Sequence, residues 1–215
     1  MEHLLWLYAQ PHDARHPVVC VDERPCFLIG EEVDPLPLLQ GQGRKEHDAY
    51  TKHGSCALLA AIEPLTGRRL AQVHAQRTRL EYTHFCQALL ARRPEAETIT
   101  LVQDNLNTHS AAAFYAHRPA HEARALAERF VFVYTPKSAS WLNMIESEFS
   151  AIARQCLRRR IPTQDALERE LLAVVAEREA RGITIDWQFS IGAARRTMNR
   201  HYATVLPANQ QYLDT

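Results

Sequence analysis

Short runs of consecutive apolar residues recur along the chain and predict its β-strands. Val18 to Val21 are apolar without alternation, which is the pattern of a strand covered on both faces. Two later runs are joined by EPLTG, whose Pro and Gly suit a turn, so they predict a β-hairpin. The predicted strands are residues 18–22 with a short continuation at 26–29, the hairpin strands 55–62 and 69–74, then 99–102 and 130–134.

Apolar residues spaced three and four apart predict helices between and after these strands. Thr78 followed by Glu81 has the spacing of a capping box, and Thr163 is a second candidate N-cap. The predicted helices span 78–93, 110–129 with an interruption near Pro119, 141–158, 163–181 and 193–202. Because strands and helices alternate, the sequence predicts an α/β fold with a mixed sheet flanked by helices.

Residues 30–54 show no apolar periodicity and are rich in Pro, Gly and charge, so we expect a long loop there. A loop of this length inside a domain is usually functional or mobile. Arg44 and Lys45 form a local basic pair within it.

Composition places this chain of 215 residues among ordinary globular proteins of one domain. Lys plus Arg and Asp plus Glu both number 25, so any nucleic-acid surface must arise from local clusters. The five cysteines include no C-x-x-C pair, which predicts reduced, mostly buried thiols in a cytosolic protein. No apolar run is long enough to span a bilayer, so we expect a cytoplasmic location and no membrane association.

Three acidic residues each follow an apolar run: Asp22 in VVCVDE, Asp104 in TLVQDN and Glu146 in SWLNMIESEF. If the strands ending at Asp22 and Asp104 are parallel neighbours, both acids emerge at the carboxyl edge, where open α/β sheets keep their sites. Each acid alone is explained more simply, by a strand-ending turn, an Asx-turn or a salt-bridged helix position. Three acids at one edge favour a divalent-cation site for phosphoryl chemistry, because clustered anions repel unless a cation neutralises them.

Helical geometry distinguishes the two glutamates of the predicted helix over 141–158. At about 100° per residue, Glu146 lies inside the apolar stripe that starts at Leu142, whereas Glu148 lies outside it. A carboxylate on the packed face is costly unless its charge is compensated. We therefore expect Glu146 to need a partner and Glu148 to need none.

Three stretches of the sequence together resemble one known family. They are VDE at the first acid, DNLNTHS at the second and YTPKSASWLNMIE leading to the third. The chain is identified as similar to the DDE-type transposases of bacterial insertion sequences related to the mariner elements. The resemblance runs from about Pro17 to Tyr202 and implies a ribonuclease-H-like fold. It suggests a lead-in at residues 1–17, a catalytic domain at 18–181 and a C-terminal tail at 182–215 that packs on that domain.

The resemblance implies that Asp22, Asp104 and Glu146 are the catalytic, metal-binding triad. It implies two Mg²⁺ or Mn²⁺ ions there, acting in DNA strand cleavage and strand transfer. The implied partners are double-stranded DNA, at transposon ends and target, and a second copy of the chain in a homodimer. The implied location is the bacterial cytoplasm, at the nucleoid when the chain is bound to DNA.

The family's second and third motifs supply candidate DNA contacts. His109 has an equally good explanation as a capping or core residue, and Trp141 is predicted to pack rather than to stack on a base. The candidate DNA-binding residues are Lys137, Asn105, Asn107, His109, Arg44 and Lys45.

Two features depart from the family pattern. The interval from Asp104 to Glu146 is longer than the compact spacing of mariner relatives, and only a short segment precedes Asp22. The family carries helix-turn-helix DNA-binding modules before its first acid. We therefore hypothesise a catalytic half, either a truncated copy or the second frame of a split gene, with an upstream-encoded helix-turn-helix chain as a possible partner.

Two other functions stay open at this point. A ribonuclease-H-like nuclease on hybrid or branched nucleic acid would use the same metals, with Glu23, Glu148 or Asp186 as a fourth carboxylate. A non-catalytic remnant that binds DNA is the second alternative. A zinc site is disfavoured, because the eleven His and five Cys show no ligand-pair spacing.

Overall fold

A computed structural model describes residues 1–33 and 48–205 of the chain. The strands are β1 (Val18–Glu31), β2 (Tyr50–Ile62), β3 (Arg69–His74), β4 (Ile99–Gln103) and β5 (Phe130–Tyr134). They form one sheet in the order β3-β2-β1-β4-β5. β1 pairs in parallel with β4 and β4 with β5, whereas the β1–β2 and β2–β3 pairs are antiparallel. The mixed sheet and the hairpin predicted from the sequence are confirmed.

Helices cover both faces of this sheet. They are α1 (Glu2–Tyr8), α2 (Arg79–Ala91), α3 (Ala112–Tyr115), α4 (Ala120–Ala127), α5 (Ile145–Gln155), α6 (Gln164–Ala180), α7 (Ile191–Thr197) and α8 (Asn199–Val205). Both predicted N-caps are confirmed: the Thr78 hydroxyl accepts from the N–H of Leu80, and the Thr163 hydroxyl from that of Ala166. The predicted break near Pro119 separates α3 from α4.

Alternation along the strands divides the apolar side chains between two cores. Val19 and Val21 pack with α2, α3 and α4 on one face, while Cys20 packs on the other face with α1, α5, α6 and α7. β1 is apolar without a break around these residues because helices cover it on both sides, as predicted. The five cysteines are buried free thiols.

The loop predicted for residues 30–54 is wrong at both ends. β1 runs on to Glu31 and β2 begins at Tyr50, and the two strands stay paired as far as those two residues. The side chains of residues 50–55 are exposed, so this paired stretch has a polar sequence without the apolar alternation of a buried strand. A Cβ at Gly30 would meet the side chain of His53, which lies against this glycine across the strand pair.

The helix predicted for 141–158 is also divided. Residues Ser140–Leu142 form one 3₁₀ turn, Asn143 is extended with φ −82° and ψ 115°, and α5 begins only at Ile145. The angular positions of Glu146 and Glu148 were predicted from one continuous helix that includes Leu142. Because Leu142 lies outside α5, it cannot serve as the reference for that comparison.

The prediction that Glu148 faces away from the core and needs no partner is wrong. Glu148 is 2% exposed and is held by Arg69 and Arg178, whereas Glu146 is only partly buried. α5 packs on β1 and β2 and also against α6, so its buried arc is wider than the apolar stripe alone. Ala151 is also buried although it lies on the side of α5 away from the apolar stripe, which again shows that the buried part of the helix surface is wider than the stripe.

Both ends of the described chain join the core on the α5 side of the sheet. Leu4 and Leu5 of α1 are each 2% exposed, and Arg195 of α7 donates to the Glu2 carboxylate at 2.9 and 3.2 Å. The division at residues 1–17, 18–181 and 182–215 stays a prediction. Of the helices in the described ranges, none combines the length and the apolar character that crossing a membrane requires.

Candidate active site

Two of the three predicted acids lie side by side because of the parallel pairing of β1 and β4. The last paired residues are Cys20 and Val102. Asp22 lies two residues farther along β1, so by alternation it points to the same face as Cys20, which α5 covers. Asp104 lies two residues beyond Val102, just after the end of β4, and its Oδ1 is bonded to His109. The sequence predicted that the strand would end at Asp22. Instead, β1 continues to Glu31, so this acid lies within a long strand.

Asp22 is a buried carboxylate with a strongly raised pKa. It is 8% exposed, and its Oδ1 accepts the backbone N–H of Glu23 at 2.8 Å. Burial raises the pKa of Asp22, and the negative charges of Asp104 and Glu146 raise it further, so that the pKa reaches about 6. Asp104 and Glu146 are therefore close enough for their charges to act on Asp22.

Glu146 lies in the first turn of α5, and the start of this helix is tied to β1. The side chain of Asn143, 1% exposed, donates from Nδ2 to the carbonyl oxygen of Val21 at 2.9 Å. Val21 immediately precedes Asp22, so this bond fixes the distance between the strand that carries one acid and the helix that carries another. Tyr8 of α1 adds a bond from its hydroxyl to the Leu142 carbonyl at 2.8 Å.

His109 supplies positive charge to the cluster. Its Nδ1 donates to Oδ1 of Asp104 at 2.6 Å, and its Nε2 lies 3.8 Å from Glu23. Burial opposes charging of the ring, but the hydrogen bonds and charges of Asp104 and Glu23 outweigh burial and raise the pKa of His109 to about 9. A pKa of about 9 favours the charged imidazolium at neutral pH. His109 is 1% exposed, in agreement with its explanation as a core residue, and its role in the site stays a prediction.

Residues outside the predicted set hold His109 in place. Gln103 donates to its carbonyl oxygen at 2.8 Å and accepts the Tyr82 hydroxyl at 2.6 Å, while the Tyr82 ring stacks on the imidazole at 5.0 Å. Gln103 is fully buried in β4 directly before Asp104. In the sequence, Gln103 is a polar residue that ends an apolar run directly before a predicted acid. That position is the signal that could have identified Gln103, because a buried polar group needs hydrogen-bond partners.

Glu23 borders the site from the opposite face of β1. Its side chain is 5% exposed and pairs with Arg77 at 2.7 Å. Burial raises the pKa of Glu23, but the hydrogen bond and charge of His109 and the charge of Arg77 outweigh this and hold it below its ordinary value. The sequence indicated Glu23 as a candidate fourth carboxylate but gave no sign of its pairing with Arg77.

The other predicted DNA contacts lie on the surface around this edge. Asn105 and Asn107 are exposed after β4, and Lys137 is exposed beside Ser138, which takes a φ of 61°. Trp141 is 44% exposed and contacts Phe189 edge to face at 5.4 Å, so it packs on one side only. Arg44 and Lys45 lie outside the described residues.

The donors of the triad fit a hard divalent cation in atom type and in charge, because Mg²⁺ and Mn²⁺ prefer carboxylate oxygens. The side chains are not yet arranged around one ion. Within residues 1–33 and 48–205, no three His, Cys, Asp or Glu side chains stand close enough together to hold a metal. His109 bonds Oδ1 of Asp104 at 2.6 Å, so Oδ2 is the oxygen that would bind a shared ion.

Comparisons with known proteins agree with this architecture. A family model described as DDE superfamily endonuclease matches residues 17–168. The structure of the Mos1 strand transfer complex is 14% identical with a TM-score of 0.50, covering 86% of this chain and 60% of that one. The Mos1 mariner paired end complex with Mn is 15% identical with a TM-score of 0.48, covering 86% of this chain and 61% of that one. No curated protein matches.

The structural likeness, at this low identity, concerns the fold. The five-stranded mixed sheet with helices on both faces is ribonuclease-H-like, as the motifs of the sequence implied. The chain spans about 60% of the length of the Mos1 chains that it matches.

Proposed function

The chain belongs to the DDE superfamily of endonucleases, and from this premise we propose that it is the catalytic part of a transposase. In this proposal it cleaves DNA strands at the ends of a bacterial insertion sequence and joins them to target DNA. The residues that carry the chemistry are Asp22, Asp104 and Glu146.

One observation carries the proposal. Two neighbouring parallel strands and the first turn of α5 bring the three acids to one edge of the sheet, where burial, and then the charges of Asp104 and Glu146, raise the pKa of Asp22 to about 6. A fold gains no stability from such mutual repulsion, and the arrangement becomes favourable when a cation is shared. The ionisable groups of active sites are arranged in this way.

Two divalent cations, Mg²⁺ or Mn²⁺, would supply the activation of a water or DNA 3′-hydroxyl and the stabilisation of the leaving oxygen. The protein residues have separate tasks. Asp22, Asp104 and Glu146 would bind the cations, and the imidazolium of His109 would hold Asp104 in place. Asn143 would keep the α5 turn at a fixed distance from β1.

The exposed residues around the site would bind DNA. Lys137 would contact a phosphate, and Asn105 and Asn107 would donate amide N–H groups to the backbone. Arg44 and Lys45 are proposed as further contacts. We also propose that the chain acts as a homodimer on paired ends in the cytoplasm, with DNA-end recognition supplied by a helix-turn-helix chain encoded upstream.

A nicking assay on supercoiled plasmid with Mn²⁺ tests the catalytic proposal. We expect nicking by the wild type and a loss of roughly a hundredfold or more in Asp22→Ala, Asp104→Ala and Glu146→Ala, since each removes a metal ligand. Glu122→Ala is the control, because Glu122 is an exposed residue of α4 whose carboxylate pairs with Arg118 at 3.1 Å. If the three triad variants nicked the plasmid as fast as Glu122→Ala and the wild type do, the assignment would be contradicted.

The hybrid nuclease stays the second candidate because of Glu23. Of the three proposed fourth carboxylates, Glu148 is held by two arginines and Asp186 is exposed, whereas Glu23 lies beside His109 at this edge. The same assay on an RNA–DNA hybrid discriminates. Hybrid cleavage that exceeds plasmid nicking and is lost in Glu23→Gln would favour the nuclease over the transposase.

A further inference from the structure

The first turn of α5 carries a second acid whose surroundings differ from those of Glu146. Glu148 is 2% exposed and is contacted by two arginines, Arg69 of β3 and Arg178 of α6. Nothing in the proposed chemistry uses this buried charge. Burying a carboxylate costs free energy of folding, so the presence of Glu148 in the core needs an explanation.

Each arginine binds Glu148 through two nitrogens. Arg69 donates from Nε to Oε1 at 3.0 Å and from Nη2 to Oε2 at 3.2 Å, and Arg178 does the same at 2.8 and 3.0 Å. Such paired bonds fix the plane of the carboxylate as well as its position. The cluster therefore determines the orientation of the helix that carries Glu148.

Arg69 is itself fixed by the backbone around it. It donates from Nη1 to the carbonyl of Gly67 at 2.5 Å and from Nη2 to that of Ile183 at 2.7 Å. Arg69 is 1% exposed, so these bonds form without competition from water. The Arg69 guanidinium thus links the turn after β2 and the segment after α6 to the first turn of α5.

The geometry of an α-helix connects this cluster to Glu146. Residues two apart lie about 200° apart around the axis, so Glu146 and Glu148 project from nearly opposite sides of α5. With a side-chain radius of about 5–6 Å, a rotation of about 20° about the axis would move the Glu146 carboxylate by roughly 2 Å. Catalytic groups tolerate only about 0.5 Å and 10–20° of displacement.

Asn143 holds the start of the same turn against β1, as described above. That bond sets the distance of α5 from Asp22, but one bond before the helix does not by itself fix the rotation of the helix about its axis. The four bonds at Glu148, on the opposite side, restrict that rotation.

We propose that Glu148, clamped by Arg69 and Arg178, is a positioning residue that fixes the Glu146 carboxylate in the orientation needed to share a divalent cation with Asp22. The inference rests on the proposed function, because it concerns the same site. It predicts that loosening the clamp weakens cation binding although none of the three residues touches the ion.

The chain offers a matched control in the pair of Arg93 and Glu63. That pair is buried to the same degree, with side chains 1% and 2% exposed in both pairs, and its Nε–Oε2 distance is 2.9 Å. Glu63 directly follows Ile62 of β2, which pairs with Arg69, so the two clusters lie at the same level of the sheet. Arg93 follows α2 on the opposite face, away from α5.

The experiment measures Mn²⁺ binding by titration calorimetry, with thermal unfolding in EDTA as the measure of stability. Glu148→Gln and Glu63→Gln each remove one buried charge, and we expect both to lower Tm. Only Glu148→Gln is expected to weaken Mn²⁺ binding, by about tenfold or more. Glu63→Gln is expected to stay within about twofold of the wild type.

Arg178→Lys tests the geometry of the clamp without changing its charge. It also replaces Glu148→Gln as the test variant if Glu148→Gln fails to fold. Arg178 is 13% exposed, and Lys keeps its charge but cannot form the paired bonds. We expect it also to weaken Mn²⁺ binding by several fold. Unchanged binding in Glu148→Gln and Arg178→Lys, or equal weakening in Glu63→Gln, would overturn the positioning role.

The same titration distinguishes failure of this inference from failure of the proposed function. If the wild type binds no Mn²⁺, or binds it equally well after Asp22→Ala, both the metal site and the positioning role are refuted. If binding depends on Asp22 but is indifferent to the clamp, only the positioning role is refuted.

Discussion

At the scale of one residue, Asp22 shows how the site lowers the stability of the fold. Its pKa is raised from 3.8 to about 6 by burial and by the charges of Asp104 and Glu146. Between these values the unfolded chain ionises the group while the folded chain does not, so stability is lost as pH rises through this window. Above about pH 6 the full cost is present. Active sites commonly carry such a cost in stability.

Asp22→Asn should therefore stabilise the metal-free protein at about pH 7.5. The amide keeps an oxygen for the Glu23 N–H but carries no charge, so the expected gain is on the order of 2–3 kcal/mol. Chemical denaturation in EDTA measures it. The gain should shrink as the pH falls toward about 4, where the Asp22 carboxyl of the wild type is itself neutral. A variant no more stable than the wild type at about pH 7.5 would contradict the raised pKa.

Elements were predictable from the sequence where their signals are local. The capping box at Thr78 and Glu81 lies within one turn, and the hairpin turn EPLTG lies between its two strands, so both were identified correctly. The unbroken apolar run before Asp22 likewise predicted a strand buried on both faces. Such patterns require only a few neighbouring residues.

Interactions between distant segments were not predictable in the same way. The burial of Glu148 depends on Arg69 and Arg178, which lie on other elements far along the chain, so periodicity within α5 could not reveal it. The exposed end of the β1–β2 pair was missed because paired backbone leaves no apolar pattern where the side chains face solvent. His109 was located by its motif, but its bond to Asp104 depends on the folded loop.

Gly67, in the turn between β2 and β3, tests how tightly the elements around the clamp are packed. Its φ is +75°, and a Cβ there would lie 2.6 Å from the Ile183 carbonyl oxygen, a backbone atom that cannot easily move. Gly182 also has a positive φ, +60°, but open space around its Cβ position. Gly182→Ala should thus show backbone strain alone, about 1 kcal/mol, and Gly67→Ala at least about twice that.

Thermal unfolding of the two glycine variants measures the difference. Because Gly67 also accepts the Arg69 bond, the larger loss is expected to be accompanied by weaker Mn²⁺ binding in Gly67→Ala only. Equal losses of stability in the two variants would show that the turn can shift to accommodate a side chain.

At the scale of the whole molecule, α1 and α7, which lie near the two ends of the described chain, pack in the same core as α5. α1 precedes the first acid, yet it buries Leu4 and Leu5 in the core beneath α5 and bonds through Tyr8 to the Leu142 carbonyl. α7 pairs with α1 through Arg195 and Glu2. These contacts make the position of α5, and with it Glu146, depend on residues far from the site in sequence.

Two neighbouring residues of α1 provide the test. Leu5 is 2% exposed and Trp6 is 52% exposed. Leu5→Ala should cost about 2–5 kcal/mol because it opens a cavity, whereas Trp6→Ala should stay within about 1 kcal/mol although it removes more atoms. Denaturant unfolding measures both. If α1 were only a lead-in to the catalytic domain, the two losses would be similarly small, so a large loss confined to Leu5→Ala assigns α1 to the folded core that supports the site.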